Sequence, residues 1–226
     1  MKFLAVIPAK MASTRLPRKN IRKLAGKSLL AWTVDVVLRS KCFSKIVVSS
    51  ESDEILALAD KLKVVGQKRP LSLAVDPAGC INVAQFVVSK LEDQGETYDY
   101  VAILMPTCPF KSSDDIKTST AMIDGLRTGC VFSVSEFSHT PYNSLTIENG
   151  NLIPILPYKF GHKTQELPTA YRPNGAIFIM PTMILKKAKS LYPKPMRPYV
   201  MPEERSIDID IENDMQLAEF MLSQQL

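Results

Sequence analysis

The chain has 226 residues, of which 46% are hydrophobic and 23% charged, a balance that excludes a disordered or fibrous protein. The net charge of +5 suits a small anionic substrate, but it is too weak, and too dispersed outside one loop, to argue for nucleic acid. No apolar run approaches roughly 18 residues, so no membrane span is expected.

FLAVIPA, from Phe3, predicts a buried strand. The loop IPAKMASTRLPRKN follows, carrying Lys10, Arg15, Arg18 and Lys19 with no acid to balance them. LLAWTVDVVLRSK predicts an amphipathic helix and KIVVSS a strand. SDEILALADKL predicts a helix with Ser52 as its cap and acids in its first turn. INVAQFVVSKLEDQG predicts a helix ended by Gly95, YVAILMP a strand, SSDDIKTSTAMIDGLR a helix and CVFSVSEF a strand. Strand and helix in alternation imply a mostly parallel sheet covered on both faces, with ligands at the carboxyl ends of its strands. The cation-rich loop stands at such an end.

Residues 138–172 interrupt the alternation. SLTIENGNLIPIL predicts a hairpin turning at Asn149-Gly150, followed by weakly patterned, Pro-rich sequence. This excursion reads as an interface arm or a surface flap. AIFIM then predicts a strand, PTMILKKAKSLY a helix, RPYVM a strand and ENDMQLAEFMLSQ a final helix. The whole chain, 1–226, is read as one domain with the excursion inside it. Cys42, Cys80, Cys108 and Cys130 are widely spaced and form no metal-binding pair, so free thiols are expected. MKFLAVIPAK has too short an apolar run for a signal peptide, and a cytoplasmic location is expected.

Four segments carry possible chemistry. In the opening loop, backbone N–H groups and clustered cations would suit phosphate oxygens, although neither a Walker A nor a G-x-G-x-x-G spacing is present. A solvated basic turn is the alternative. In RSIDIDIEND, residues two apart in an extended segment share a side, so Asp208 and Asp210 converge while the isoleucines face the core. Paired hard-oxygen ligands beside phosphates suit Mg²⁺; solvated acids at a strand end are the alternative. Asp214 belongs to the first turn of the last helix, where it complements the dipole. In YRPNGAIFI, Arg172 and Asn174 form a turn in which the planar fork of Arg172 suits a carboxylate or phosphate. In QKRPLSLAVD, Arg69 is either a base or ribose contact or, more commonly for such a position, an exposed loop arginine.

These segments together resemble the acylneuraminate (nonulosonic acid) cytidylyltransferases, the CMP-sialic acid synthetase-like enzymes. IPAKMASTRLPRKN is similar to their IPARxGSKxxPRKN loop, LMPTCPFKSSDDI to their QPTSPLRxxxDI, and TQELP to their RQDLP. RPLSLAVD, TAYRPNGAIFI and PEERSIDIDIENDMQLAE also follow the family pattern, in the family order, nearly end to end. The resemblance implies a Rossmann-like α/β nucleotidyltransferase whose hairpin excursion makes a homodimer and reaches the partner's active site. It implies that CTP and a nonulosonic acid give a CMP-sugar and pyrophosphate with Mg²⁺. By position it gives Lys10, Ser13, Lys19 and Asn20 to the triphosphate and ribose, and Arg69 to the cytosine region. It gives Asp208 and Asp210 to Mg²⁺, and Met105, Gln165, Arg172 and Asn174 to the sugar. Lys10 and Lys19 share the catalytic role with the two aspartates.

The chain departs from the pattern at several positions. Lys10 stands for an arginine, Met11-Ala12 for Gly-Gly, and Thr14 for a lysine whose charge Arg15 would supply. Met105 stands for a glutamine, which suggests a less polar acid of the legionaminic or pseudaminic type. ASTRLP is closer to the 3-deoxy-manno-octulosonate synthetases, and that sugar or another nucleotide is the alternative reading. A nucleotide-binding protein without turnover is the alternative outside enzymes.

Overall fold

Short β-branched apolar runs build the sheet here, and longer runs with helical spacing cover it. The computed structural model describes residues 1–75, 77–123 and 129–224. Its first elements are β1 (Phe3–Pro8), β2 (Lys23–Leu24), β3 (Lys27–Ser28), α1 (Leu29–Ser40), β4 (Lys45–Ser50), α2 (Asp53–Lys61) and β5 (Val65–Lys68). Then come α3 (Cys80–Glu92), β6 (Tyr100–Leu104), α4 (Ser113–Ile123), β7 (Cys130–Glu136), β8 (Leu145–Glu148) and β9 (Asn151–Pro154). The chain ends with β10 (Tyr171–Pro181), α5 (Thr182–Leu185), β11 (Met196–Val200) and α6 (Glu212–Ser223).

A seven-stranded sheet runs in the order β11-β7-β10-β6-β1-β4-β5. β1 lies parallel to β4 and β6, β4 to β5, and β7 to β11. β1 is buried on both faces: Ala5 and Ile7 pack with Leu30 and Val34 of α1, while Leu4 and Val6 pack with Ala84 and Val87 of α3. The sheet covered on both faces is what the alternation predicts, and the Rossmann-like α/β architecture is the one that the resemblance implies. Among the described residues, no helix is long and apolar enough to cross a membrane. All four cysteines are free.

Several expectations need correction. The sheet is mostly parallel as expected, but β10 runs antiparallel to both β6 and β7. It starts at Tyr171, which makes YRPN part of a strand instead of a turn; pairing with β7 shifts register between Pro173 and Phe178. Gly175 supplies the φ of +77° that this bulge needs. Ser52 stands at the α2 N-cap but its hydroxyl makes no capping bond; Asp53 and Glu54 occupy the first turn. Helix α3 ends at Glu92, and Gly95, at φ +80°, closes the following turn. The predicted helix over 112–127 runs from Ser113 to Ile123, and residues 124–128 lie outside the described residues. The helix expected over 181–192 is the short α5 alone. Beyond it the chain bends so that Tyr192 meets Phe132 and Phe178 edge-on.

The hairpin forms as read. β8 and β9 pair antiparallel around Asn149 and Gly150, both with positive φ, the signature of a two-residue type I′ turn.

Candidate active site

The opening loop leaves β1 at the carboxyl edge of the sheet and is tethered on three sides. Its Met11 N–H donates to Glu51 Oε1 at 2.7 Å, just beyond β4. Asn20 Nδ2 donates to the Lys10 carbonyl at 2.7 Å, closing the loop on itself. Leu16 is buried with Leu24, Leu29, Ile209 and Met215, in a small apolar cluster that joins the loop to α6 and to the segment preceding it. Buried apolar contacts at Leu16 and Ile209 therefore bring two basic and acidic segments together that lie far apart in sequence.

The loop opens onto a cleft of about 210 Å³ lined by Lys10, Ser13, Thr14, Arg15, Lys19, Asn20, Arg69, Cys80, Met105 and Thr107, among others. Seven residues expected at a nucleotide or sugar site thus converge: Lys10, Ser13, Arg15, Lys19, Asn20, Arg69 and Met105. Lys10 is exposed, and its ammonium makes no hydrogen bond or ion pair among the described residues. Arg18 faces away from the cleft and pairs with Glu54 at 2.5 Å.

Arg69 is not the exposed loop arginine that its neighbourhood in the sequence favours. It is 4% exposed; Nη1 donates to the Ser49 carbonyl at 3.1 Å and Nη2 to Glu51 Oε2 at 2.9 Å. Its Nε is buried without a partner among the described residues, as are Ser49 Oγ and Gln67 Oε1 on the paired strand ends. Glu51, which sequence reasoning missed, holds the loop and Arg69 at once. Its position directly after β4 is the signal that could have found it.

Asp210 accepts Lys19 Nζ at 2.7 Å and pairs with Arg15 at 2.8 Å, so two of the cleft's cations share one carboxylate. Asp214 Oδ2 in turn accepts the backbone N–H groups of Asp210 and Ile211, at 2.8 and 2.9 Å, fixing the segment to the start of α6. Asp208 leaves toward other neighbours: its Oδ2 lies 3.3 Å from where a Cβ on Gly175 would stand. Any side chain at Gly175 would crowd it. The predicted alternation of isoleucines holds only for Ile209, which is fully buried; Ile207 is half-buried and Ile211 is 42% exposed. The reason is that Ile211 is already the N-cap of α6, where the chain turns outward. The expected convergence of the two carboxylates is not what the side chains do here, since Asp210 reaches the loop cations and Asp208 the Gly175 bulge; both remain hard-oxygen donors of the kind Mg²⁺ takes from protein. Among the described residues no group of three or more His, Cys, Asp or Glu is placed to hold a metal ion.

The sugar residues divide. Met105 lines the cleft, whereas Gln165 is exposed in the excursion and is not among the lining residues. Arg172 is half-buried opposite Ser135, and its guanidinium makes no hydrogen bond or ion pair among the described residues. Asn174, expected to face a sugar, turns inward and is 2% exposed. Its Nδ2 donates to Ser206 Oγ at 2.9 Å and its Oδ1 accepts from Ser133 Oγ at 2.5 Å and from the Ala176 N–H at 3.2 Å. The bulge sends the side chain into the sheet, where it ties β7 and β10 to the residues before Asp208. Cys108 is inert beside it: burial, then the charge of Asp208, pushes its thiol up to about 12.

A cytidylyltransferase family model matches residues 4–121. The chain belongs to the cytidylyltransferase family. It is 35% identical to the CMP-N,N'-diacetyllegionaminic acid synthase of Legionella pneumophila, over 98% of this chain and 97% of that one. It is 27% identical to a pseudaminic acid cytidylyltransferase of Campylobacter jejuni, over 98% of this chain and 96% of that one. The fold matches a solved CMP:2-keto-3-deoxy-manno-octonic acid synthetase complexed with CTP, with a TM-score of 0.77 and full coverage of both chains. At 14% identity that likeness shows the fold alone. This cytidylyltransferase is a nucleotidyltransferase enzyme, as the resemblance of its motifs implies.

Proposed function

We propose that this cytidylyltransferase couples CTP to a nonulosonic acid of the legionaminic type, giving a CMP-sugar and pyrophosphate. The observation that carries the reading is the convergence of Lys10, Arg15, Lys19 and the buried Arg69 on one cleft at the carboxyl edge of the sheet. In the reaction the sugar's anomeric hydroxyl oxygen bonds to the α-phosphorus, the bond from that phosphorus to the pyrophosphate oxygen breaks, and the hydroxyl's proton is released to solvent. Lys10, Arg15 and Lys19 hold the triphosphate and offset the charge that spreads onto its oxygens, with Ser13 and Asn20 at the phosphates and ribose. Arg69 faces the cytosine from the cleft wall. Asp208 and Asp210 hold Mg²⁺, which supplies charge neutralisation at the phosphates when bound.

Met105 presents an apolar thioether where a polar sugar would want a hydrogen bond, which favours a deoxygenated nonulosonate; the Legionella relative supports the same class. Arg172, with its free guanidinium, is assigned to the sugar. The reading includes a single domain over 1–226, a reducing cytoplasmic compartment supported by the four free thiols, and a homodimer. The dimer is supported by the excursion's exposed Ile147, Leu152, Ile155 and Tyr158, at 73%, 64%, 57% and 72%. In the dimer Gln165 faces the partner's sugar.

The test is pyrophosphate release from a panel of nucleotides and sugar acids with and without Mg²⁺. Release with CTP, Mg²⁺ and a legionaminic-type acid is expected. Equal or faster turnover of N-acetylneuraminate would overturn the sugar assignment, and release with another nucleotide at the same rate would overturn CTP.

A further inference from the structure

Lys111 is the one lysine among the described residues that is buried, at 2% exposure, and it lies one turn of chain beyond the cleft wall. Its ammonium has three hydrogens and spends all of them: on Thr33 Oγ1 at 2.9 Å, on the Met105 carbonyl at 2.8 Å and on the Cys108 carbonyl at 2.7 Å. It has no ion-pair partner among the described residues. Burying an ammonium without a carboxylate is costly. Burial accordingly draws its pKa down to about 8.

The turn it grips has an unusual make-up. Both carbonyls that Lys111 binds precede prolines, in the run MPTCPFK, and the Cys108 N–H closes the turn on the Met105 carbonyl at 3.4 Å. The turn is stiffened by Pro106 and Pro109 and bolted to α1 through Thr33. Each of its residues then reaches a different part of the site. Met105, Pro106 and Thr107 line the cleft. The Thr107 carbonyl accepts the Ile209 N–H at 2.8 Å, midway between Asp208 and Asp210. Cys108 Sγ donates to the Asn174 carbonyl at 3.2 Å, at the bulge against which Asp208 packs.

We propose that Lys111 is a positioning residue: by fixing the Met105–Cys108 turn it makes one rigid piece of the cleft wall and the anchor of the Asp208–Asp210 segment. It touches none of the nucleotide grips on the loop or on Arg69. Its loss leaves the loop and Arg69 grips on the nucleotide in place and displaces the Asp208–Asp210 segment, which would hold Mg²⁺ beside the phosphates. Misplacement by about 1 Å in such an arrangement costs about 10²-fold in rate. The inference rests on the cytidylyltransferase reading above.

The experiment compares wild type with Lys111→Met, Thr33→Val and Thr33→Ser, each assayed well below its own unfolding temperature. Calorimetric CTP titration gives the fraction of folded sites and the Kd, and steady-state assays give kcat and KM. The expected result is a CTP Kd within about twofold of wild type in all three variants. kcat should fall about 10²-fold in Lys111→Met, fall less in Thr33→Val, and be restored in Thr33→Ser, which keeps the hydroxyl. A Lys111→Met protein with a lowered unfolding temperature but wild-type kcat per folded site would overturn the proposal, as would one whose loss lies in CTP affinity. Wild type that turned over no sugar acid would remove the reaction assignment and this proposal together. A working wild type with an equally working Lys111→Met would remove this proposal alone.

Discussion

The opening loop, residues 9–20, and the excursion, residues 138–172, are both long connections, and the protein treats them in opposite ways. The loop is polar and is held from inside the chain, by Glu51, Asn20, Asp210 and the buried Leu16. The excursion exposes large apolar side chains, and its tie to the sheet is at its base, where the Phe137 N–H donates to the Ala170 carbonyl at 3.0 Å. A segment preorganised by its own chain is ready for a small ligand, whereas a segment with uncovered apolar surface needs a macromolecular surface to cover it. The difference separates the two kinds of recognition, and mutations can break each separately.

The largest effect belongs to the loop. Lys19→Met removes a cation from the cleft, and a kcat loss of about 10²-fold is expected in the pyrophosphate assay. Wild-type turnover by that variant would move the triphosphate elsewhere.

Next is the scaffold that carries the Asp208 segment. Asp115 is buried and accepts Arg205 Nη2 at 3.0 Å, Tyr199 Oη at 2.7 Å and the Ser112 N–H at 2.6 Å. Burial raises its pKa, but those hydrogen bonds together outweigh it and hold the carboxyl below its usual 3.8. A depressed folded pKa contributes stability that is fully present above the unfolded value and is lost as pH falls through the folded one. Asp115→Asn should cost about 2 kcal/mol at neutral pH by denaturant titration. Its curve should approach wild type as the pH drops below the normal carboxylate range. A constant gap across that range would show that the stability does not come from the charge.

The excursion gives the third effect. Replacing Ile147 and Leu152 with Asp should weaken self-association about tenfold or more by sedimentation, while CTP affinity stays near wild type. A wild-type assembly in that variant would assign the apolar face to something other than a second copy.

The smallest effect has an opposite sign. Asp210 pairs with Lys19 and Arg15, the cations proposed to hold the triphosphate. Asp210→Asn should therefore bind CTP about threefold tighter in the absence of metal, the magnitude of a half-exposed pair, even as it loses turnover with Mg²⁺. Weaker metal-free binding would mean that Asp210 organises the loop instead of competing for its cations.

The order of strands and helices was legible because each apolar run carries its own period. The sense of β10 was not, because direction in a sheet is set by pairing with distant strands: Ile177 opposite Leu104 and Arg172 opposite Ser135. The cation cluster was legible because its charges are adjacent in sequence. The inward turn of Asn174 depends on a bulge at Gly175, and the burial of Arg69 depends on Ser49 and Glu51 from a different strand. Lys111 has no role assigned to it from the sequence. Its three partners come from α1 and from a proline-bounded turn that only the fold brings together.

The central claim is that the cleft between the opening loop and Arg69 holds cytidine triphosphate. Calorimetric titration of CTP into wild type, Lys10→Met and Lys189→Met tests it directly, the last being an exposed lysine outside the cleft. A single CTP should bind each wild-type chain, with affinity lowered about tenfold in Lys10→Met and unchanged in Lys189→Met. Equal affinity in all three proteins would contradict the account.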